Sequence, residues 1–191
     1  MGRNTEQAGD SRQRIVESAI ALMRGSGLSG AGINEIVRAS SAPKGSVYHY
    51  FPAGKLQIAS EALALYAERV RAFIDEALAS RDAPAEKVKA LFAAFARRVE
   101  EADFLASCAV GAVTLDLDAD LEPLRAVLAA TLSDWVDAIA AHFDLGDARR
   151  TRSFASVVIT AIEGAYIRAR AERSRQPFRE AGDWLADLVE R

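Results

Sequence analysis

One cysteine, Cys108, stands in a chain of 191 residues, so neither an intramolecular disulfide nor a thiolate zinc cluster can hold the protein together. Histidine is almost as scarce. His49 and His142 lie too far apart for the H-E-x-x-H pair of a zinc hydrolase. The longest near-apolar stretch, Phe104 to Leu115, contains Ser107 and Thr114 and is too short to span a bilayer. The opening MGRNTEQAGD lacks the apolar core of a secretory signal. These absences give the expectation of a cytoplasmic protein with no membrane span, no metal and no cofactor. With 50% hydrophobic residues the chain is long enough to bury a core without staples.

Catalytic signatures are missing as well. There is no G-x-S-x-G elbow and no phosphate loop ending in Gly-Lys-Ser/Thr. Gly25-Ser26-Gly27-Leu28-Ser29-Gly30 matches G-x-G-x-x-G by letter, but a helical pattern precedes it where a dinucleotide fingerprint needs a strand. Asp116-x-Asp118-x-Asp120 starts like a calcium loop, whose sixth and twelfth positions require Gly and Glu. Leu121 and Val127 stand there instead, which leaves a solvated acidic turn. Cys108 sits in Ser-Cys-Ala-Val-Gly-Ala-Val, the setting of a small packed core residue rather than a nucleophile. Nothing here reads as an enzyme.

What is present is helix. No stretch sustains the period-2 alternation of a strand, while Ala, Leu, Arg and Glu dominate. Pro43, Pro84, Pro123 and Pro177 fall where helices begin, and Pro52 follows a short one. The first helix opens at an Asp10–Gln13 capping box, with residues 1–9 expected to be disordered. It buries Ile15, Ala19, Leu22 and Met23 and closes at Gly25 and Gly27. Short helices follow at about 33–39 and 43–50, then a long one at 54–80 and another from Pro84. The segment 104–115 is expected to be a shorter buried helix, followed by helices at 123–143 and 147–172 and a last one after Pro177. Charge is uneven along this series. Residues 1–55 carry seven Lys/Arg against four Asp/Glu, and the remainder 17 against 23, a basic head on an acidic body.

The segment 33–51 is the most informative. Val47 and Phe51 are four apart and point inward, toward Ile36 and Val37. That leaves Lys44, Ser46, Tyr48, His49 and Tyr50 facing outward, a surface of hydroxyls, rings and one cation where a solvated helix would carry Glu and Lys. It suits a helix-turn-helix whose second helix enters the major groove. Lys44 and the free amides of the helix start fit phosphates, Tyr48 and His49 fit phosphates or base edges, and Lys55 adds a flanking contact. Composition and spacing alone leave open an ordinary helical hairpin with an aromatic-rich core.

Ile36-x-x-Ala39, followed by Pro43-Lys44-Gly45-Ser46-Val47-Tyr48-His49-Tyr50-Phe51 and Lys55-Leu56, resembles the DNA-binding signature of TetR-type transcriptional regulators. The form Ala-Pro-Lys-Gly-Ser-x-Tyr-His-x-Phe-Pro-x-Gly-Lys is similar to their LmrA-like branch. The resemblance is dense over about 11–63 and weaker beyond. It implies an all-α protein, with a three-helix DNA-binding domain over 1–55 and a helical-bundle effector-binding and dimerisation domain over 56–191. By position, it implies DNA contacts at Lys44, Gly45, Ser46, Tyr48, His49, Tyr50 and Lys55. It further implies a homodimer through about 148–172 and 178–190, a palindromic double-stranded DNA operator and release by a small hydrophobic or aromatic effector.

The chain departs from the family pattern in three places. Gly32 stands where many members have a capping Ser or Thr, Ser41 replaces the usual turn glycine, and Ala109 replaces the proline that often follows the cysteine. Candidate residues for an effector cavity are Tyr66, Phe92, Phe95, Cys108, Trp135, Ile139, Val158, Ile162 and Glu163, each of which also reads as plain core. Glu163, an acid inside the run 157–166, faces either a cavity or the dimer interface. The helix 54–80, shared by head and body, is the expected coupling element.

Overall fold

The computed structural model describes residues 2–79 and 83–190, with the backbone alone described for residues 2–10. Among the described residues there are nine α-helices and no strand, so the fold is all-α. In chain order they are α1 (Gly2–Ser26), α2 (Ile33–Ser40), α3 (Lys44–Tyr50), α4 (Lys55–Ala79), α5 (Pro84–Glu101), α6 (Ala109–Leu115), α7 (Glu122–Ala140), α8 (Ala148–Glu172) and α9 (Gln176–Val189). They form two compact units. One comprises residues up to Ala67 together with Ala109–Leu128; the other comprises Glu68–Cys108 together with residues from Ala129 on.

In the first unit α1 packs on α2, α3 and α6. Ile15, Ala19 and Met23 recur at helical spacing on one face of α1 and are buried. Ile36 of α2, Val47 of α3, and Val110 and Val113 of α6, on the helices packed against α1, are buried too, as are Ile58 and Leu63 of α4. Each large apolar side chain removed from water contributes roughly 1.5–3 kcal/mol. Gly27 closes α1 at φ +67, where glycine carries no steric penalty, and its amide donates to the Met23 carbonyl at 2.9 Å. The helix begins at Gly2 rather than after residue 9. Arg3, Glu6, Gln7 and Ala8 are good helix formers with no proline among them, so helix propensity extends α1 past the Asp10–Gln13 pair, which lies inside it.

In the second unit α9 packs on α5 and α8. Gly182 permits the close approach to α5, because a Cβ there would stand 2.8 Å from Phe92 Cβ. Phe73, Phe95, Tyr166 and Phe178 form a chain of edge-to-face rings, with centroids 5.0, 6.1 and 5.2 Å apart in succession. Arg98 lies over Phe73 at 4.3 Å from its centroid. Asp147 caps α8 by accepting the Arg150 amide at 2.7 Å.

The segment expected to be helical from 104 becomes helical only at Ala109. Asp103 and Phe104 both adopt left-handed backbone, φ 49 and 58, and the Phe104 amide donates back to the Val99 carbonyl at 2.9 Å. That bond ends α5 and reverses the chain, which delays the start of α6.

Candidate functional site

The turn between α2 and α3 is built without glycine. Ser41 takes a left-handed conformation, φ 52 and ψ 25. The Ser40 hydroxyl accepts the Ala42 amide at 3.3 Å, so the buried turn keeps its hydrogen bonds. Gly32 precedes α2 in extended backbone and supplies no side-chain cap, as expected from the missing hydroxyl. Pro43 leads into α3, with its carbonyl accepting the Ser46 amide at 2.9 Å.

Val47 and Phe51 are fully buried and Val37 is half-buried, so the inward face of α3 is locked. Residues that sequence reasoning missed fix the far end of α3. Arg12 stacks over the Phe51 ring at 5.4 Å and pairs with Glu61. Glu61 in turn accepts from Gln57 at 3.1 Å. Gln57 accepts the Ala53 amide at 3.0 Å and its side-chain amide reaches the Tyr50 carbonyl at 3.5 Å. The i,i+4 spacing of Gln57 and Glu61 could have revealed their contact, but no local pattern marks Arg12.

The outward face is open. Lys44, Gly45, Tyr48 and His49 are exposed, whereas Ser46, Tyr50 and Lys55 are half-buried. Tyr48 leaves 50% of its surface in water, unusual for an aromatic that packing could have used. The rings of His49 and Tyr50 meet edge to face, 5.0 Å apart. No carboxylate among the described residues pairs with Lys44, whereas Arg38 is engaged by Glu35. A Cβ on Gly45 would meet nothing within 4 Å, so packing does not demand glycine there. Its absent side chain bares the backbone at the start of α3, which is what close approach to a phosphate needs.

The nine residues expected around a cavity are divided between the two compact units. Tyr66 belongs to the first unit, where Arg24 lies 6.0 Å over its ring. Phe92, Phe95, Cys108, Trp135, Ile139, Val158 and Ile162 belong to the second unit and are buried in its packed interior. A groove of about 730 Å³ opens in that unit between α7 and α8, and Glu163 alone of the nine lines it. Its other walls are Leu132, Val136 and Ile159 with the hydroxyls of Ser153, Ser156 and Thr160, and Arg149 and Arg152. Helical periodicity marks which side of a helix faces inward; it does not tell packed interior from hollow.

Burial pushes the Glu163 carboxyl above its ordinary pKa, and a hydrogen bond from the Cys108 thiol opposes that shift. Arg152 pairs with Asp137 and reaches the Ser133 hydroxyl at 2.9 Å, so its charge is committed. On α8 and α9, Val157, Ile167, Trp184 and Leu188 are large apolar side chains left exposed, Trp184 at 72%. No helix among the described residues is long and apolar enough to cross a membrane.

Two family models match the chain. Residues 15–62 match that of bacterial regulatory proteins of the tetR family, and residues 84–184 match the C-terminal domain of LmrA/YxaF-like transcriptional regulators. An HTH-type transcriptional regulator of Mycobacterium tuberculosis is 32% identical over 174 residues, 87% of this chain and 88% of that protein. The HTH-type transcriptional regulator LmrA of Bacillus subtilis is 29% identical over 185 residues, 96% of this chain and 98% of its own. The crystal structure of a TetR transcriptional regulator from Chloroflexus aurantiacus superposes with a TM-score of 0.81 at 26% identity, covering 97% of both chains.

Proposed function

The chain belongs to the TetR family of bacterial regulatory proteins, with a C-terminal domain of the LmrA/YxaF-like kind, and from that premise we propose that it is a repressor. It binds a palindromic double-stranded DNA operator as a homodimer and leaves it when a small hydrophobic or aromatic effector occupies the body. The observation that carries this reading is α3. Its inward residues Val47 and Phe51 are fully buried while its outward face offers exposed Tyr48 and His49 and a Lys44 that pairs with no carboxylate among the described residues.

Lys44 and the bared amides around Gly45 and Ser46 neutralise backbone phosphates, with Lys55 flanking them. Tyr48, His49 and Tyr50 meet phosphates, base edges and thymine methyls in the major groove. Residues 1–55 act as the reading head and 56–191 as the effector-binding and dimerising body. The exposed Val157, Ile167, Trp184 and Leu188 support a dimer made through α8 and α9. Two recognition helices then stand one DNA turn apart, roughly 34–36 Å.

The groove between α7 and α8 is the effector site this reading favours, because an apolar wall with a few polar groups is what small ligands need. Glu163 gives it a polar selector that favours a ligand carrying a hydrogen-bond donor. α4, which contributes to both units, carries the change to the head. An effector needs to prefer the released geometry by only about 1–3 kcal/mol to relieve repression several-fold or more.

Selection of genomic fragments on the immobilised full-length protein, followed by footprinting, tests the proposal. Two protected half-sites related by a dyad are the expected result. Recovery of no fragment above background at low salt would leave only a ligand-binding bundle.

A further inference from the structure

Gln57 bonds to three different places around the end of α3. Its Oε1 accepts the Ala53 amide at 3.0 Å, in the loop between α3 and α4. Its Nε2 donates to Glu61 at 3.1 Å, one turn further along α4, and to the Tyr50 carbonyl at 3.5 Å, on the last residue of α3. Glu61 pairs with Arg12 of α1, whose guanidinium lies over the ring of Phe51, the residue that follows α3. Gln57, Glu61, Arg12 and Phe51 thus close a loop around the end of α3, and all four lie in the first compact unit.

Only an amide satisfies this place. A carboxylate at position 57 would accept from Ala53 but turn lone pairs toward the Tyr50 carbonyl and Glu61. An ammonium would donate to both and leave the Ala53 amide without its acceptor. The Ala53 bond alone is of the kind that a glutamine at the third position of a helix makes to the backbone before it, and it says nothing about α3. The Tyr50 bond does. The last carbonyls of a helix have no partner within it, and this one is held from α4.

α3 has seven residues, about 10 Å of helix, and its two ends have different tasks. Lys44 at its start and Lys55 beyond it meet phosphates, which are alike at every sequence and are reached by a flexible four-carbon stem. Tyr48, His49 and Tyr50 lie toward its end and are offered to base edges, where a hydrogen bond weakens steeply once its length or angle is off. A shift of that end spoils readout and leaves phosphate binding in place. We propose that Gln57 is a positioning residue for sequence readout: by holding the Tyr50 carbonyl it aims the last turn of α3 at base edges. The proposal rests on the reading of α3 as a DNA reader.

The test is a ratio of two affinities of the full-length protein at one salt concentration, for the operator duplex recovered by genomic selection and for a shuffled duplex of the same length and composition. A residue that only supports folding lowers the active fraction for both duplexes alike and leaves their ratio unmoved. In Gln57→Glu, which keeps the acceptor for Ala53 and loses the donor, the ratio falls at least about five-fold, the lower end of the penalty for one mismatched base pair. In Gln57→Lys, which keeps a donor, the fall is smaller than that. Gln57→Met, with neither group, takes the place of the glutamate variant if that one fails to fold, and is held to the same threshold. A fall below about five-fold in Gln57→Glu, or above it in Gln57→Lys, overturns the proposal. A native protein that binds both duplexes equally, or neither, overturns the DNA reading of α3 and this proposal with it.

Discussion

Replacing Gly27 by alanine tests the architecture of the reading head through a magnitude worked from the structure. Its φ of +67 costs a non-glycine residue about 1–2 kcal/mol. Alanine recovers about 0.4–1 kcal/mol of that by restricting the unfolded chain. The new Cβ also drives the Asp116 carboxylate off the Ser29 amide, a charge-assisted bond worth about 1.5–3 kcal/mol and taken here near its lower end because Ser29 is exposed. The expected loss is about 2–3 kcal/mol. In an Asp116→Ala background the bond is already gone, so the same substitution costs only about 1 kcal/mol, leaving a coupling of about 1–2 kcal/mol. Urea denaturation at fixed protein concentration measures all four corners of the cycle. Gly27 lies in the first unit and both tryptophans, Trp135 and Trp184, in the second. Coincident circular dichroism and fluorescence transitions therefore show that the loss is one free energy. An equal cost of Gly27→Ala in both backgrounds would refute the reasoning.

Ser41→Gly relieves left-handed strain of about 1–2 kcal/mol against an entropic cost of about 0.4–1, so the thermal midpoint rises slightly; a fall would show that the serine conformation carries no strain. Phe51→Ala removes a fully buried ring beneath Arg12 and costs about 3–5 kcal/mol by denaturant titration, with loss of DNA binding. Burial raises the Glu163 pKa above its ordinary 4.5, so the folded chain binds more protons than the unfolded one between the two values. That stabilisation is complete below 4.5 and disappears as pH rises through the folded value. The melting temperature of Glu163→Gln relative to the native protein therefore climbs with pH across that window; parallel profiles would contradict it.

Much of the fold was legible because its signals are local. Pro84 stands at the first position of its helix and Pro123 and Pro177 at the second of theirs, and Gly27 closes α1, each by backbone constraint alone. The spacing of Val47 and Phe51 gave the inward face of α3, and what remained was the outward one. The reversal at Asp103 and Phe104 was hidden, since neither residue advertises left-handed backbone. The helical start at residues 2–9 was hidden behind a cap-like Asp10. Arg12 and Asp116 act across the fold, on Glu61 and Ser29, and no window of sequence contains both partners. Aromatic residues such as Phe95 and Trp135 read equally well as cavity wall and as core, since either setting takes them out of water, and both are buried. Glu163 was conspicuous for the opposite reason, an acid in an apolar run, and it is the one expected residue that lines the groove.

The central claim is that the outward face of α3 reads DNA. Its most direct measurement is the affinity of the purified protein for duplex DNA from upstream of its own gene, at two salt concentrations, beside a Lys44→Ala/Tyr48→Ala variant. Binding that weakens steeply with salt, and in the variant is lost at the higher salt with a slope shallower by about one counterion, is the predicted result. Equal binding by the native and variant proteins at both salt concentrations would contradict it.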